Sequence, residues 1–204
     1  MRSLDKLSES SVRERILYGA ASAFGRLGYA STRVEDIVRE SSVSRPTFYK
    51  LFESKDDVFI VLSERHHRTI RERLSQAFAS VEDPLEQLDH AIESYLRWRA
   101  ELGPVGRVLD LEARSPATLL EDQRSRTLAH VLGLVQAGLK RAGRAPAEPV
   151  LLRALIAATE HIADELFAAG GSVSESALQH AKSIALRLHL GVLAVPDEAG
   201  AVSG

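Results

Sequence analysis

The stretch 45–51, RPTFYKL, sets Arg45, Thr47, Tyr49 and Lys50 among two apolar residues, Phe48 and Leu51. On a helix, Phe48 and Leu51 share one face, and the four hydrogen-bonding side chains are left to the other. An arginine fork matches the O6 and N7 acceptors of a guanine edge, and lysine and tyrosine donors suit phosphate oxygens. The chemistry on offer is therefore recognition of an acceptor-rich polyanion. Catalysis has no comparable signal. The sequence contains no G-x-S-x-G elbow, no S-x-x-K motif and no phosphate-cradling glycine loop, so the chain does not read as an enzyme. It has no cysteine, which excludes disulfides and thiolate metal sites. Glu160, His161, Asp164 and Glu165 have i,i+4 spacing on a helix, but two ligands per face are too few for a metal site. His66 and His67 are adjacent and are expected to point to different sides of their helix. No metal and no cofactor is expected.

The elements that must position the 45–51 stretch are helices, because no clean period-two strand appears and the apolar residues recur at helical spacing. Ser11 with Glu14 has the form of a capping box, and Ile16, Ala20, Phe24 and Leu27 follow on one face, so a first helix is predicted over 12–27. Gly28 stands where a left-handed cap is needed. Val34, Ile37, Val38 and Ser41 mark a short helix over 34–41, and Ser42-Val43-Ser44 makes a three-residue turn. Ser44 can cap the helix 45–51, whose Pro46 sits harmlessly in the first turn. Glycines and prolines divide the remainder into helices over 55–80, 84–101, 105–114, 117–142, 147–169 and 175–193, followed by a small, polar tail at 196–204 expected to be disordered.

Two short helices across a three-residue turn, behind a packing helix, are the parts of a helix-turn-helix, whose second helix enters the major groove of DNA. Charge agrees in sign. Residues 1–55 hold ten Lys/Arg against seven Asp/Glu, a surplus of +3, within a 204-residue chain whose net charge is -2. There is no apolar run of membrane length and no apolar leader segment at the N-terminus. A cytoplasmic protein with no membrane association is expected.

Phe24, Gly28-Tyr29, Thr32, Ile37-Val38, Val43-Ser44, Thr47-Phe48-Tyr49, Phe52 and Lys55-Asp56 together resemble the DNA-binding motif of TetR-family transcriptional regulators over about residues 12–60. The resemblance implies an all-α chain, with a three-helix DNA-binding domain at 1–55 and a helical effector-binding and dimerisation domain at 56–195. It implies a homodimer that binds a palindromic double-stranded DNA operator, acts as a repressor and is released by a small-molecule effector. Carried over by position, Arg45, Pro46 and Thr47 meet bases or neighbouring phosphates. Tyr49 and Lys55 meet phosphates, Lys50 faces the groove, and Thr32 and Arg33 rest on the backbone at the start of the second helix. Tyr95, Trp98 and His130 are the candidate pocket groups. Lys55 is a cation at a helix N-terminus, where the dipole disfavours it, and a bound phosphate is its expected explanation.

The apolar faces Leu151, Leu155, Ala158, Ile162, Leu166 and Leu178, Ala181, Ala185, Leu188, Val192 are the expected dimer interface. The chain also departs from the family pattern. Ser41-Ser42 stands where a small residue and a glycine are usual, Arg33 replaces a common Ser/Thr, and Leu51 replaces a common His/Tyr. Those departures leave two other classes open: a small-molecule binder that no longer binds DNA, and an all-α enzyme built on the same body.

Overall fold

The computed structural model describes residues 2–114, 121–167 and 173–193. Among them every regular element is a helix: α1 (Arg2–Leu27), α2 (Val34–Ser41), α3 (Arg45–Leu51), α4 (Lys55–Ala79), α5 (Pro84–Leu102), α6 (Pro104–Arg114), α7 (Glu121–Arg141), α8 (Pro149–Phe167) and α9 (Glu175–Leu193). The chain is all-α, as the spacing predicts. Two compact units result. One combines the residues up to Arg68 with Leu102–Arg124, and the other combines Thr69–Glu101 with the residues from Ser125 onward.

The first unit is the head. Ile16, Leu17, Ala20, Ala23 and Phe24 of α1 are buried against Ile37 of α2, Phe48 of α3, Val58 and Phe59 of α4, and Leu109 of α6. Phe24 meets Phe59 edge-on at 5.1 Å between centroids, a geometry that pairs ring edge with ring face. α1 and α2 approach closely because Gly19 has no side chain: a Cβ there would lie 2.6 Å from the Ser41 amide nitrogen. The Ser41 hydroxyl, buried at this contact, donates to the Ile37 carbonyl at 2.7 Å.

Local chemistry sets the helix ends. Gly28 adopts φ +78 and returns its N–H to the Phe24 carbonyl at 2.9 Å, which closes α1. At the start of α2 the Asp36 carboxylate accepts the Arg33 N–H at 3.0 Å. That bond and Arg39 hold the Asp36 carboxyl below its ordinary pKa. Ser44 caps α3 by accepting the Thr47 N–H at 3.3 Å. The Asp83 carboxylate accepts the N–H groups of Leu85 and Glu86 at 2.8 and 3.0 Å, which starts α5.

The first helix departs from expectation. It runs from Arg2, so Ser11 lies inside it and not at its start. Glu14 instead takes both Nη atoms of Arg65, each at 2.6 Å. The expected start of the seventh helix at 117, the end of the eighth at 168–169 and the tail at 196–204 lie outside the described residues.

In the second unit Leu88, Ile92 and Leu96 of α5 pack with Ala163 of α8 and Leu178, Ala181 and Ala185 of α9. Much of the stripe expected to face a second protomer is therefore internal. Leu155 is also buried, and Leu151 and Leu188 remain outward, 37% and 39% exposed. Inside this unit Arg99, 1% exposed, donates Nη2 to Asp164 at 3.0 Å. Asp164 thus serves a half-buried ion pair.

Ser42 is the residue of the α2–α3 turn in the left-handed region, at φ 52 and ψ 39. A side chain there costs of order 1 kcal/mol relative to glycine, whereas glycine loses more backbone entropy on folding. The strain dominates by a small margin, so Ser42→Gly should stabilise the head by a few tenths to about 1 kcal/mol. A denaturant titration showing lower stability would contradict this.

Candidate nucleic-acid interface

The geometry of α3 begins with its inner face. Phe48 has no exposed surface and Phe52 almost none, while Leu51 is half-buried against the same core. Arg13 of α1 fastens the far end of α3: its Nη1 donates to the Leu51 carbonyl at 3.3 Å and its guanidinium lies 4.3 Å from the Phe52 ring centroid. With that side anchored, Arg45, Pro46, Tyr49 and Lys50 are exposed. Tyr49 keeps a ring edge on Phe48, with 5.3 Å between centroids, and is 47% exposed. Thr47 is half-buried, and its hydroxyl lies 2.7 Å from that of Ser44. The Arg45 guanidinium lies 5.7 Å from the Tyr49 ring centroid and pairs with Glu35 of α2 at 2.9 Å. Tyr49 and then Glu35 hold that guanidinium above its ordinary pKa. Arg33 is exposed at the start of α2. Five of the eight sequence candidates, Arg33, Arg45, Pro46, Tyr49 and Lys50, thus lie on the exposed surface of α3 or at the start of α2, and Thr47 sits at its margin.

Thr32 and Lys55 do not join them. Thr32 is 1% exposed, and its hydroxyl donates to the Gly28 carbonyl at 2.6 Å. The left-handed turn at Gly28 leaves carbonyls of the α1 end open, and Thr32 satisfies one of them. The Lys55 ammonium donates to the carbonyls of Tyr29, Ala30 and Thr32 at 2.9, 3.3 and 3.0 Å, with the Tyr29 ring centroid 4.6 Å away. An ammonium has three hydrogens, and three carbonyls take them. The cation at the α4 N-terminus is therefore matched by the loop carbonyls beside it. Tyr29 completes the joint by donating its hydroxyl to Asp56 at 2.7 Å. Burial and then that bond push the Tyr29 pKa well above its ordinary value. Sequence reasoning missed Arg13 and Glu35, which carry no motif of their own. Their signal would have been helical phase, once α1 and α2 were set against α3.

His66 and His67 do not point apart. Both are 5% exposed, and their rings meet edge to face at 5.2 Å between centroids. His66 Nε2 lies 2.9 Å from Asp110 Oδ1. They form a buried polar seam of the head between α4 and α6. Among the described residues no group of three or more His, Asp or Glu is placed to hold a metal ion. No helix among them is long and apolar enough to cross a membrane.

The pocket candidates lie in the second unit. Tyr95 and Trp98 are neighbours with 6.2 Å between ring centroids, and Trp98 is 3% exposed. His130 Nε2 lies 2.8 Å from the Ser75 hydroxyl. An apolar pocket of about 270 Å³ in this unit is walled by Phe78, Leu88, Val135, Leu139, Leu190 and Leu193, with Asp83 and Arg144 beside it. Tyr95, Trp98 and His130 are not in that wall. Its leucines could not be told from ordinary core in the sequence.

Residues 16–62 match the family model of the bacterial regulatory proteins of the tetR family. The HTH-type transcriptional regulator HbdR of Aromatoleum sp. (strain CIB) is 29% identical over 83 residues, which are 41% of this chain and 36% of that one. The chain spans about half the length, or less, of the curated relatives it matches. Its fold is that of the fatty acid degradation regulator FadR from Bacillus halodurans (TM-score 0.74, 20% identity, 89% of this chain and 96% of that one). It is also that of FadR from Bacillus subtilis in complex with stearoyl-CoA (TM-score 0.71, 18% identity, 86% and 96%). Residues 16–62 thus carry the DNA-binding motif of the tetR family, and the chain shares the fold of these two regulators.

The Lys55 joint makes a specific expectation. Lys55→Met keeps the apolar stem and strands three carbonyls, so the head should lose about 1–3 kcal/mol of stability. The salt dependence of DNA binding by the folded fraction should stay as it was. A flattened slope with unchanged stability would return Lys55 to the phosphates.

Proposed function

We propose that this chain is a TetR-family regulator: a ligand-responsive, DNA-binding transcriptional repressor of the cytoplasm, working as a homodimer on a palindromic operator. The observation that carries the reading is α3 itself. Phe48 is fully buried beneath it, and Arg45, Tyr49 and Lys50 share its exposed side. In the proposed complex Arg45 reads a base edge, Lys50 faces the groove, and Tyr49, Arg33, Pro46 and Thr47 meet the backbone around it. Residues 1–55 form the DNA-reading domain and 56–195 the effector and dimer domain.

One seven-residue helix covers too little DNA for specificity, and two-fold symmetry doubles the contacts. The exposed Val150, Leu151 and Leu188 are the apolar surface that α8 and α9 offer a second protomer. The two reading helices would sit about 34–36 Å apart, one turn of DNA. An effector that prefers another spacing would lower DNA affinity by its differential affinity for the two states. The pocket's apolar wall suits an effector with an apolar body, and the B. subtilis FadR neighbour, solved with stearoyl-CoA, makes an acyl thioester the first probe.

Duplexes enriched by the chain from a random pool should be two-fold symmetric. Log affinity for them should fall with log salt by about 0.9 per phosphate neutralised. Arg45→Ala should cost about 1–3 kcal/mol on the enriched site and less on random DNA. Failure to enrich any site would refute the reading, and equal losses on both DNAs would remove Arg45 from base recognition.

Trp98 is the one tryptophan in the sequence, so its emission reports on the second unit alone. Stearoyl-CoA added to the protein–DNA complex should shift that emission and release the DNA. Release without a shift would place the effector site away from Trp98, and neither change would rule out this effector.

A further inference from the structure

Arg45 is long and flexible, and at a DNA surface the nearest acceptors are phosphates. A guanidinium captured by a phosphate contributes affinity but no sequence information. The head contains a device that opposes this. Glu35 stands on α2, across the turn from α3, and its Oε1 lies 2.9 Å from Arg45 Nη1. The Tyr49 ring flanks the same guanidinium, 5.7 Å from its carbon to the ring centroid. The two contacts bear on one planar group and restrict its direction. The Glu35–Arg45 pair contributes little to stability, because its side chains are 57% and 61% exposed and such pairs are screened by water. Nor is Glu35 needed to cap α2, since Asp36 accepts the Arg33 amide there.

We propose that Glu35 is a specificity-determining residue of the head: its carboxylate holds the Arg45 guanidinium in place for a base edge and keeps it off the phosphates. The proposal rests on Arg45 reading a base, as above. It works in two ways. The carboxylate occupies one Nη group and leaves the other donors of the fork for the O6 and N7 of guanine. Its negative charge also repels phosphates, which raises the cost of close approach where no base contact compensates for it. Removing the carboxylate should therefore strengthen binding to random DNA more than binding to a selected site.

The test uses the full chain and DNA enriched by the wild type from random duplexes, with random duplex as the reference. Glu35→Gln keeps the shape and removes the charge. The ratio of random to selected Kd should fall roughly five- to tenfold, within the range that one bidentate base contact supplies. On random DNA the salt slope should steepen by about one unit per protomer, as the released guanidinium neutralises a phosphate. In an Arg45→Ala background the same Glu35→Gln change should leave the ratio where Arg45→Ala put it. A ratio untouched by Glu35→Gln, or one that falls as far without Arg45 as with it, overturns the proposal. The wild type enriching no site at all is a different result, which refutes DNA recognition itself. Circular dichroism and melting of Glu35→Gln should match the wild type, because neither member of the pair is buried. If they do not match, Glu35 is a structural residue and the proposal fails.

Discussion

A helix of seven residues is not stable in water by itself, and α3 is that short. Its existence depends on the burial of Phe48, which has no exposed surface. α2, of eight residues, depends in the same way on Ile37. Both lean on α1, whose Ile16, Ala20 and Phe24 face them from one stripe. The proposed reading surface is thus the outer side of an element that exists only because its inner side is buried. This coupling is useful for recognition. The anchored helix has few ways to move, so side chains such as Arg45 and Tyr49 are presented from a rigid base, and less order must be acquired on binding.

The cations of the head divide into two groups by what their donors meet. Lys55 and Arg13 are spent inside the protein, on carbonyls that the ends of α1 and α3 and the loop between α1 and α2 leave open. Arg33 and Arg45 stay at the surface. A count of basic residues does not separate the groups, because an unpaired carbonyl near a helix end and a phosphate oxygen attract the same ammonium or guanidinium. The modest surplus of positive charge in residues 1–55 therefore overstates what remains for a nucleic acid.

The same ambiguity explains which parts were legible in the sequence. The limits of α2 and α3 followed from local signals, Ser44 as a cap and Pro46 in a first turn, whereas the left-handed Ser42 was signalled by the glycine usual at that place in the family pattern. For Thr32 and Lys55, residue type and family position give a donor but not its acceptor. Here the acceptors are loop carbonyls more than twenty residues from Lys55 along the chain. Ser11 and Glu14 had the form of a cap, but a helix that continues through Ser11 leaves no free amides there to cap, and Arg65 claims Glu14. Leu178, Ala181 and Ala185 formed a stripe whose period was correct. A period shows that a face is buried, not whether the burying surface belongs to the same chain.

The two units differ in what their surfaces offer a ligand. The head keeps Arg45, Tyr49 and Lys50 outside and fills its interior with aliphatic side chains and phenylalanine rings, with Thr32, Ser41, Ser63 and the His66–Asp110 seam among its buried polar groups. In the second unit the surface carries ion pairs, such as Arg97 with Glu175 at 2.7 Å, and the pocket wall is mostly leucine, valine and phenylalanine. A charged polymer is met by exposed donors that need little desolvation. A small apolar molecule is met by a concave apolar wall, where removing water supplies the driving force. Burial thus separates the two kinds of recognition. In the proposed function these two chemistries belong to different units, and α4 contributes residues to both units.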